Sequence, residues 1–267
     1  MSSMVIAGLG LRRWGLGALA TLLALGPIAC PSYAQEISRD RADARVQRPV
    51  WANDLTGYWV SLITEDWRLR MLTPAKGDYV GIPLTAAAAR VADAWNPARD
   101  AAGGQQCRSY GAAAIMFRPE ELRIGWEDNE ATLSVSVDAG MQTRLLHFGG
   151  TVPVSFQPTW QGYSSATWVA RTTPGFVQSP PEAQYLHVIT THMLPGYLRQ
   201  NGIPYSAQAV LTEDFDLVSV QGEQPYLTDT TTVADPLYLE YPLVLSPIFE
   251  KQPGAAGWDP APCSSTW

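Results

Sequence analysis

A series of short segments rich in β-branched and aromatic residues, divided by turns, is the feature that most limits how this chain can fold. The series begins at Gly57, and turns rich in Gly, Pro, Asn and Asp separate its members. Runs of four to eight residues with this composition are typical of β-strands. We interpret as strands the segments 57–63, 67–72, 113–117, 122–126, 132–138, 142–148, 165–171, 185–193, 207–215 and 226–233.

The clearest local structure is a hairpin around Asp138-Ala139-Gly140. Before this turn signal, Leu133, Val135 and Val137 alternate with serines, and an apolar run returns at 142–148. A strand, a tight turn and a second strand in this order predict an antiparallel pair. The alternation also places the three apolar side chains on one face of the sheet.

One helix interrupts the series. Thr85 can cap the start of the Ala-rich stretch 86–95, and Asn96-Pro97 ends it because the residue before proline disfavours the helical conformation. The helix falls in a long excursion, 73–112, between early strands. About ten strands, a hairpin and no strand–helix alternation predict an all-β, antiparallel, up-and-down barrel with one short helix. A sandwich of similar strand count is the open alternative.

The first residues are typical of a secretory signal peptide. Arg12 and Arg13 precede an uncharged run at 14–29, and small residues occupy the −3 and −1 positions before Gln35. The apolar run is shorter than the roughly 20 residues of a membrane-spanning helix. We therefore expect cleavage near Ala34 and a periplasmic or secreted protein, with a membrane anchor or a lipoprotein as weaker alternatives.

This cleavage defines three segments: a signal peptide at 1–34, a flexible polar leader at 35–52, and one barrel domain at 53–267. After removal of the signal peptide, Cys107 and Cys263 are the remaining cysteines. In an oxidising compartment an isolated pair predicts one disulfide bond. Two free thiols are the alternative.

Acidic residues outnumber basic ones, 25 to 18, which gives a net charge of −7. Such a chain repels phosphate backbones and anionic lipid surfaces, so we expect no nucleic-acid partner and no stable membrane insertion. Phosphate-binding glycine loops and nucleophile motifs such as Gly-x-Ser-x-Gly do not occur. His187 and His192 differ by five positions and so point to opposite sides of one strand. We therefore expect neither a cofactor nor a metal site.

Two resemblances to known families add to these patterns. Gly57-Tyr58-Trp59 resembles the Gly-x-Trp of lipocalin-type barrels, whose tryptophan closes one end of the barrel, and it implies a calycin-like fold. Most of the chain after the leader also resembles a family of exported bacterial proteins without an assigned activity, which supports export and supplies no reaction. The segments that carry the second resemblance are 73–79, 92–100, 107–111, 142–148, 190–192, 196–206, 235–239 and Cys263.

His192 is the candidate for chemistry, because it ends a strand beside a polar and aromatic loop. Glu213 lies on the next strand, so it can orient His192 as a general acid or base. Arg199 or Asn201 can then stabilise an oxyanion. The alternative is a structural hairpin loop with an Arg–Glu pair.

Further polar and aromatic residues are candidates for ligand binding. Arg144 and His147 are three positions apart on one strand and therefore face opposite sides. A buried arginine inside a small barrel needs a carboxylate partner or an anionic ligand. The full set of predicted ligand-binding residues is Arg144, His147, Thr190, Tyr197, Asn201 and Tyr205.

These observations predict an exported barrel that binds a small, partly apolar or aromatic molecule in its lumen. The first alternative is a cofactor-free lyase, isomerase or hydrolase that uses His192 as acid or base. The second alternative is a structural envelope protein.

Overall fold

The computed structural model describes residues 52–128, 130–171, 183–219 and 224–266. The predicted signal peptide and residues 35–51 of the predicted leader lie outside these ranges. None of the helices in the described ranges has both the length and the apolar character needed to cross a membrane.

Strands are the commonest regular secondary structure in the described chain. They are β1 Gly57–Leu62, β2 Glu121–Trp126, β3 Thr132–Val137, β4 Ala139–Gly140, β5 Gln142–Phe148, β6 Tyr163–Arg171, β7 Ala183–Thr191, β8 Gly196–Tyr197, β9 Pro204–Tyr205, β10 Val210–Val218, β11 Tyr226–Ala234, β12 Leu243–Leu245, β13 Ile248–Gln252 and β14 Ala261–Pro262. The helices are α1 Trp67–Met71, α2 Ala86–Asp93, α3 Pro97–Ala102 and α4 Ala112–Ile115, with a 3-10 helix at Gln106–Tyr110.

Nine strands close into a β-barrel, in the order β10-β7-β6-β5-β3-β2-β1-β13-β11, and β11 pairs again with β10. The predicted all-β barrel is confirmed. The prediction that all its strands run antiparallel is wrong at β5 and β6, which pair in parallel with Leu146 opposite Ser164. Parallel neighbours require the connecting chain to return to the same end of the sheet. Residues 149–162 make that return, so the barrel is mixed rather than up-and-down.

The predicted hairpin is confirmed. β3 and β5 pair antiparallel, with Val137 opposite Gln142. Gly140 has a φ of 71°, in the left-handed region, and a Cβ there would meet the Tyr110 ring. Glycine is therefore required at this position both by the turn and by the packing.

The excursion between β1 and β2 holds more helix than the sequence indicated. α2 begins where predicted, and the Thr85 hydroxyl accepts a hydrogen bond from the Ala88 amide. The predicted strands at 67–72 and 113–117 are wrong, since helices α1 and α4 occupy them. In α1 the buried Arg70 donates hydrogen bonds to the carbonyl oxygens of Leu62 and Phe117. Phe117 lies 47 residues away in the chain, so the local alternation does not reveal this contact.

Trp59 lies fully buried on β1, in the main apolar cluster of the barrel. Its indole Nε1 donates to the Leu55 carbonyl at 2.9 Å, and Lys251 Nζ lies 5.1 Å from the centre of its ring. Gly57 has a φ of 124°, and a Cβ there would press on the Lys251 side chain. A glycine two residues before Trp59 thus lets Lys251 cross the strand and cover the tryptophan.

The predicted disulfide between Cys107 and Cys263 is confirmed. It joins the 3-10 helix to the C-terminal tail. Next to it, β14 pairs in parallel with β4. The tail is thereby fixed at the hairpin turn, close to the helices of the excursion.

Candidate functional site

Several polar side chains point into the barrel interior, because side chains alternate between the two faces of a strand. On β5, Arg144 shares a face with Leu146 and Phe148, and all three are buried. On β10 and β11, Glu213 and Asp229 likewise lie on the buried faces of their strands. We call the resulting group the interior charge cluster; it consists of Arg144, Ser164, Thr190, Glu213, Asp229 and Thr231.

Arg144 and Glu213 form the centre of this cluster. Both side chains have an exposed fraction of 0%. Arg144 Nη1 donates to Glu213 Oε1 at 2.6 Å, and Nη2 donates to the other carboxylate oxygen. Nη2 also donates to Thr190 Oγ1 at 3.3 Å, and Thr190 and Ser164 share a hydrogen bond of 2.7 Å. This two-point pairing is the strongest geometry available to an arginine and a carboxylate.

Asp229 is the second buried carboxyl group. Thr231 Oγ1 donates to its Oδ2 at 3.0 Å. Burial, and then the negative charge of Glu213, raise the pKa of Asp229 well above its ordinary value. This shift favours the protonated form of Asp229, in which the Arg144 guanidinium faces the single carboxylate of Glu213. Balance of this kind is what an enclosed site requires, because an unpaired buried ion costs several kcal/mol.

His192 is placed apart from this cluster. It is exposed, follows the end of β7, and has a φ of 58°. Its Nδ1 lies 2.9 Å from Thr191 Oγ1, and the Phe156 ring meets its edge at 6.0 Å. Glu213 directs both carboxylate oxygens to Arg144 instead. The structure therefore does not bring His192 and Glu213 together, and a catalytic role for His192 stays a prediction.

His147 faces the outside of the barrel, opposite to Arg144 on the same strand. Its ring stacks on Tyr163 at 4.6 Å, and burial lowers its pKa. Tyr163 in turn meets Phe156 edge-on at 5.4 Å. The opposite orientation of Arg144 and His147 agrees with the alternation of the strand.

The remaining predicted residues lie in the segment that contains β8 and β9. Arg199 Nη1 donates to the Val80 carbonyl at 2.7 Å. Asn201 Nδ2 donates to two carbonyl oxygens of the excursion, those of Ala75 and Asp78. Tyr205 is fully buried in a second apolar cluster. These three side chains hold the excursion against the barrel, whereas Tyr197 opens onto a cleft.

That cleft lies between α2 and α3 and has a volume of about 370 Å³. Two helix caps fix its walls. Thr85 caps α2, and the Asn96 side chain accepts hydrogen bonds from the amides of Ala98 and Arg99 at 3.0 and 3.2 Å. Pro97 suits the first turn of α3, where its missing amide hydrogen is not needed. We call this feature the arginine cleft, after its lining residues Arg90, Arg99 and Arg108.

The floor of the arginine cleft is a rigid polar group. Tyr197 Oη donates to Asp100 Oδ2 at 2.8 Å, and Arg108 Nη1 donates to Asp100 Oδ1 at 3.2 Å. The Arg108 guanidinium also lies over the Tyr197 ring, 4.4 Å from its centre. Burial, and then the bond to Asp100, raise the pKa of Tyr197. Its hydroxyl therefore keeps its proton, and Asp100 has both oxygens occupied.

The rim combines aromatic and cationic groups. Trp95 is half-buried against Gly202, where any Cβ would collide with the indole ring. Arg90 and Arg99 are exposed, and within the described ranges their side chains take part in no hydrogen bond or ion pair. Two guanidinium groups thus face the cleft without a carboxylate.

Sequence reasoning missed Asp229 and the arginine cleft. A signal for the cleft exists, since Arg90, Arg99 and Arg108 recur every nine residues in an acidic chain. No group of three or more His, Cys, Asp or Glu side chains that could hold a metal ion occurs among the described residues. No family model, curated protein or solved structure matches the chain.

Proposed function

We propose that this protein is an exported β-barrel that binds a small, partly apolar or aromatic molecule in the arginine cleft. The observation that carries the proposal is the cleft itself. Its volume of about 370 Å³ lies within the range of small-molecule sites. Trp95 and Tyr197 supply aromatic surface, and Ala87, Val91 and Ala94 supply an apolar wall.

The cleft suits a ligand better than the barrel lumen does. Inside the barrel, large side chains such as Trp59, Phe215 and Phe249 are buried together with the interior charge cluster. A ligand in the lumen would have to displace large side chains that are already packed against one another. The cleft, in contrast, opens to solvent and holds polar groups without partners.

Export and the likeness to lipocalin-type barrels belong to the same proposal. The Cys107–Cys263 disulfide supports export, because such bonds persist in oxidising compartments. The buried Trp59 on β1, covered by Lys251, supports the likeness. The parallel pairing of β5 and β6 is a departure from an up-and-down order.

A fluorescence screen tests the proposal. Aromatic, terpenoid and lipid compounds are titrated into the disulfide-bonded protein, and tryptophan emission is followed. Ala94 is exposed on the cleft wall, so Ala94→Phe fills the cleft without disturbing the core. We expect this variant to weaken binding by about tenfold or more.

Ala98→Phe is the matched control, since Ala98 is also exposed, lies on α3 and is not a lining residue of the cleft. It should bind like the wild type. If Ala94→Phe binds a compound as tightly as the wild type does, that compound binds outside the arginine cleft. An absence of saturable binding by every compound would favour the structural envelope protein.

A further inference from the structure

We propose that the arginine cleft selects organic anions, that is, compounds in which a carboxylate, sulfonate or phosphate group adjoins a flat apolar body. This inference rests on the proposed function and names the chemical class of its ligand. It derives from the charges around the cleft, where the acidic group has hydrogen-bond partners and two of the basic groups have none among the described residues.

The charges on the floor cancel. Asp100 is buried, and its two oxygens accept hydrogen bonds from Tyr197 and Arg108. A cationic ligand would therefore find no free carboxylate on the floor. Arg108 uses Nη1 for this ion pair, and its other N–H groups have no hydrogen-bond partner among the described residues. They remain available as donors to an anion.

The charges on the rim do not cancel. Arg90 on α2 and Arg99 on α3 leave two positive charges without partners among the described residues, in a protein of net charge −7. Other arginines of the chain do have a carboxylate partner, as Arg68 with Asp78 and Arg70 with Glu65 show. The planar guanidinium group matches the geometry of carboxylate, sulfonate and phosphate oxygens. Three such groups around one cleft therefore favour an anion.

The apolar wall defines the rest of the ligand. Val91 and Ala94 line one side, and the half-buried Trp95 offers part of its ring. A free inorganic anion would leave this surface unused, whereas a flat body beside the charged group covers it. The Arg108–Tyr197 stack holds its guanidinium in place before binding, which reduces the entropy lost when the ligand is ordered.

Three probes of one shape and different charge test the inference: 1-naphthoate, 1-naphthamide and 1-naphthylmethylamine. Isothermal titration calorimetry on the disulfide-bonded protein measures each affinity. We expect the naphthoate to bind at least about tenfold more tightly than the amide, because hydrogen bonds to charged groups are the stronger ones. Its affinity should fall with added KCl.

Variants locate the effect. Arg90→Gln and Arg99→Gln should each weaken naphthoate binding by about tenfold and leave amide binding nearly unchanged. Arg123→Gln is the control, because Arg123 is an exposed arginine on β2 that does not line the cleft. It should leave both affinities unchanged. Circular dichroism confirms that each variant keeps the fold.

The outcomes separate this inference from the proposed function. Equal affinities for the three probes, or a preference for the amine, would overturn anion selection while the cleft remained a binding site. Naphthoate binding that survives both arginine substitutions would also overturn it. Failure of every probe and of the wider screen would overturn the proposed function together with this inference.

Discussion

Removal of the Arg144 guanidinium is expected to destabilise the barrel by about 3–5 kcal/mol, the range observed when one partner of a buried ion pair is deleted. Arg144→Met keeps a long apolar stem and removes the charge. Its effect tests whether the interior charge cluster is structural. The alternative is the sequence-based prediction that Arg144 binds ligand.

The size of the effect follows from the surroundings of Glu213. Both side chains of the pair have an exposed fraction of 0%, so solvent does not screen the interaction. Without Arg144, the Glu213 carboxylate loses two hydrogen bonds and keeps Asp229 as a neighbouring acid. A comparable surface pair would contribute only about 0–1 kcal/mol. The buried position therefore decides the magnitude.

The cluster has two carboxyl groups and one arginine, and this inequality predicts an asymmetry. In Glu213→Gln, Arg144 keeps Asp229 nearby, and Asp229 can release its proton and balance the guanidinium. The expected loss is about 1–3 kcal/mol, smaller than for Arg144→Met. In the double variant Arg144→Met/Glu213→Leu both charges are gone, and stability should return close to that of the wild type.

Urea denaturation at pH 7, followed by tryptophan fluorescence and circular dichroism, measures these free energies. Equal slopes of the unfolding free energy against urea among the variants would show that the comparison is sound. The reasoning fails if Arg144→Met stays within about 1 kcal/mol of the wild type, or if Glu213→Gln is as damaging as Arg144→Met. The double variant should also bind naphthoate like the wild type, because its substitutions lie away from the arginine cleft.

Three further predictions concern pH, the disulfide and export. Because burial and then Glu213 raise the pKa of Asp229, wild-type stability should fall as pH rises from the ordinary aspartate pKa, about 3.9, towards the raised one. Asp229→Asn removes this fall, so its free energy of unfolding relative to the wild type, measured by urea denaturation, should be higher at pH 8 than at pH 5. The same difference at both pH values would contradict the raised pKa of Asp229. The free energy of unfolding of Cys107→Ser/Cys263→Ser should be lower than that of the wild type by up to about 5 kcal/mol, which is the loop-closure contribution for a separation of 156 residues. Thiol titration of the denatured wild type should detect no free thiol. Mass spectrometry of exported protein should find Gln35 at the N-terminus, and retention of residues 1–34 would contradict cleavage.

The sequence predicts much of the barrel because alternation is a local signal. The hairpin of β3 and β5 needs only neighbouring residues and a turn, and the two strands pair antiparallel as predicted. The parallel contact of β5 with β6 is different. It depends on the path of residues 149–162, and no pattern within either strand records which neighbour will lie beside it. Helix α1 was predicted as a strand from its local alternation, which does not record the contact of Arg70 with the Phe117 carbonyl.

The interior charge cluster was partly within reach of the sequence. Strand alternation puts Arg144 and His147 on opposite faces without deciding which of them is inside, and a buried arginine needs a carboxylate. Asp229 also carried a signal, since the same alternation puts it on one face with Leu227 and Val233. A polar residue on an apolar face is the informative exception. The arginine cleft was less accessible, because the placement of α2, α3 and the 3-10 helix comes from contacts across the chain.

The same residue type has different roles at the two sites, and the difference lies in its partners. Inside the barrel, Arg144 meets Glu213 with two hydrogen bonds, so its charge is neutralised by the protein itself. At the cleft, Arg90 and Arg99 meet no carboxylate among the described residues. An exposed charge without a partner costs little in water, and it is free to attract a ligand. Binding chemistry is therefore better sought at the cleft than at the more conspicuous buried pair.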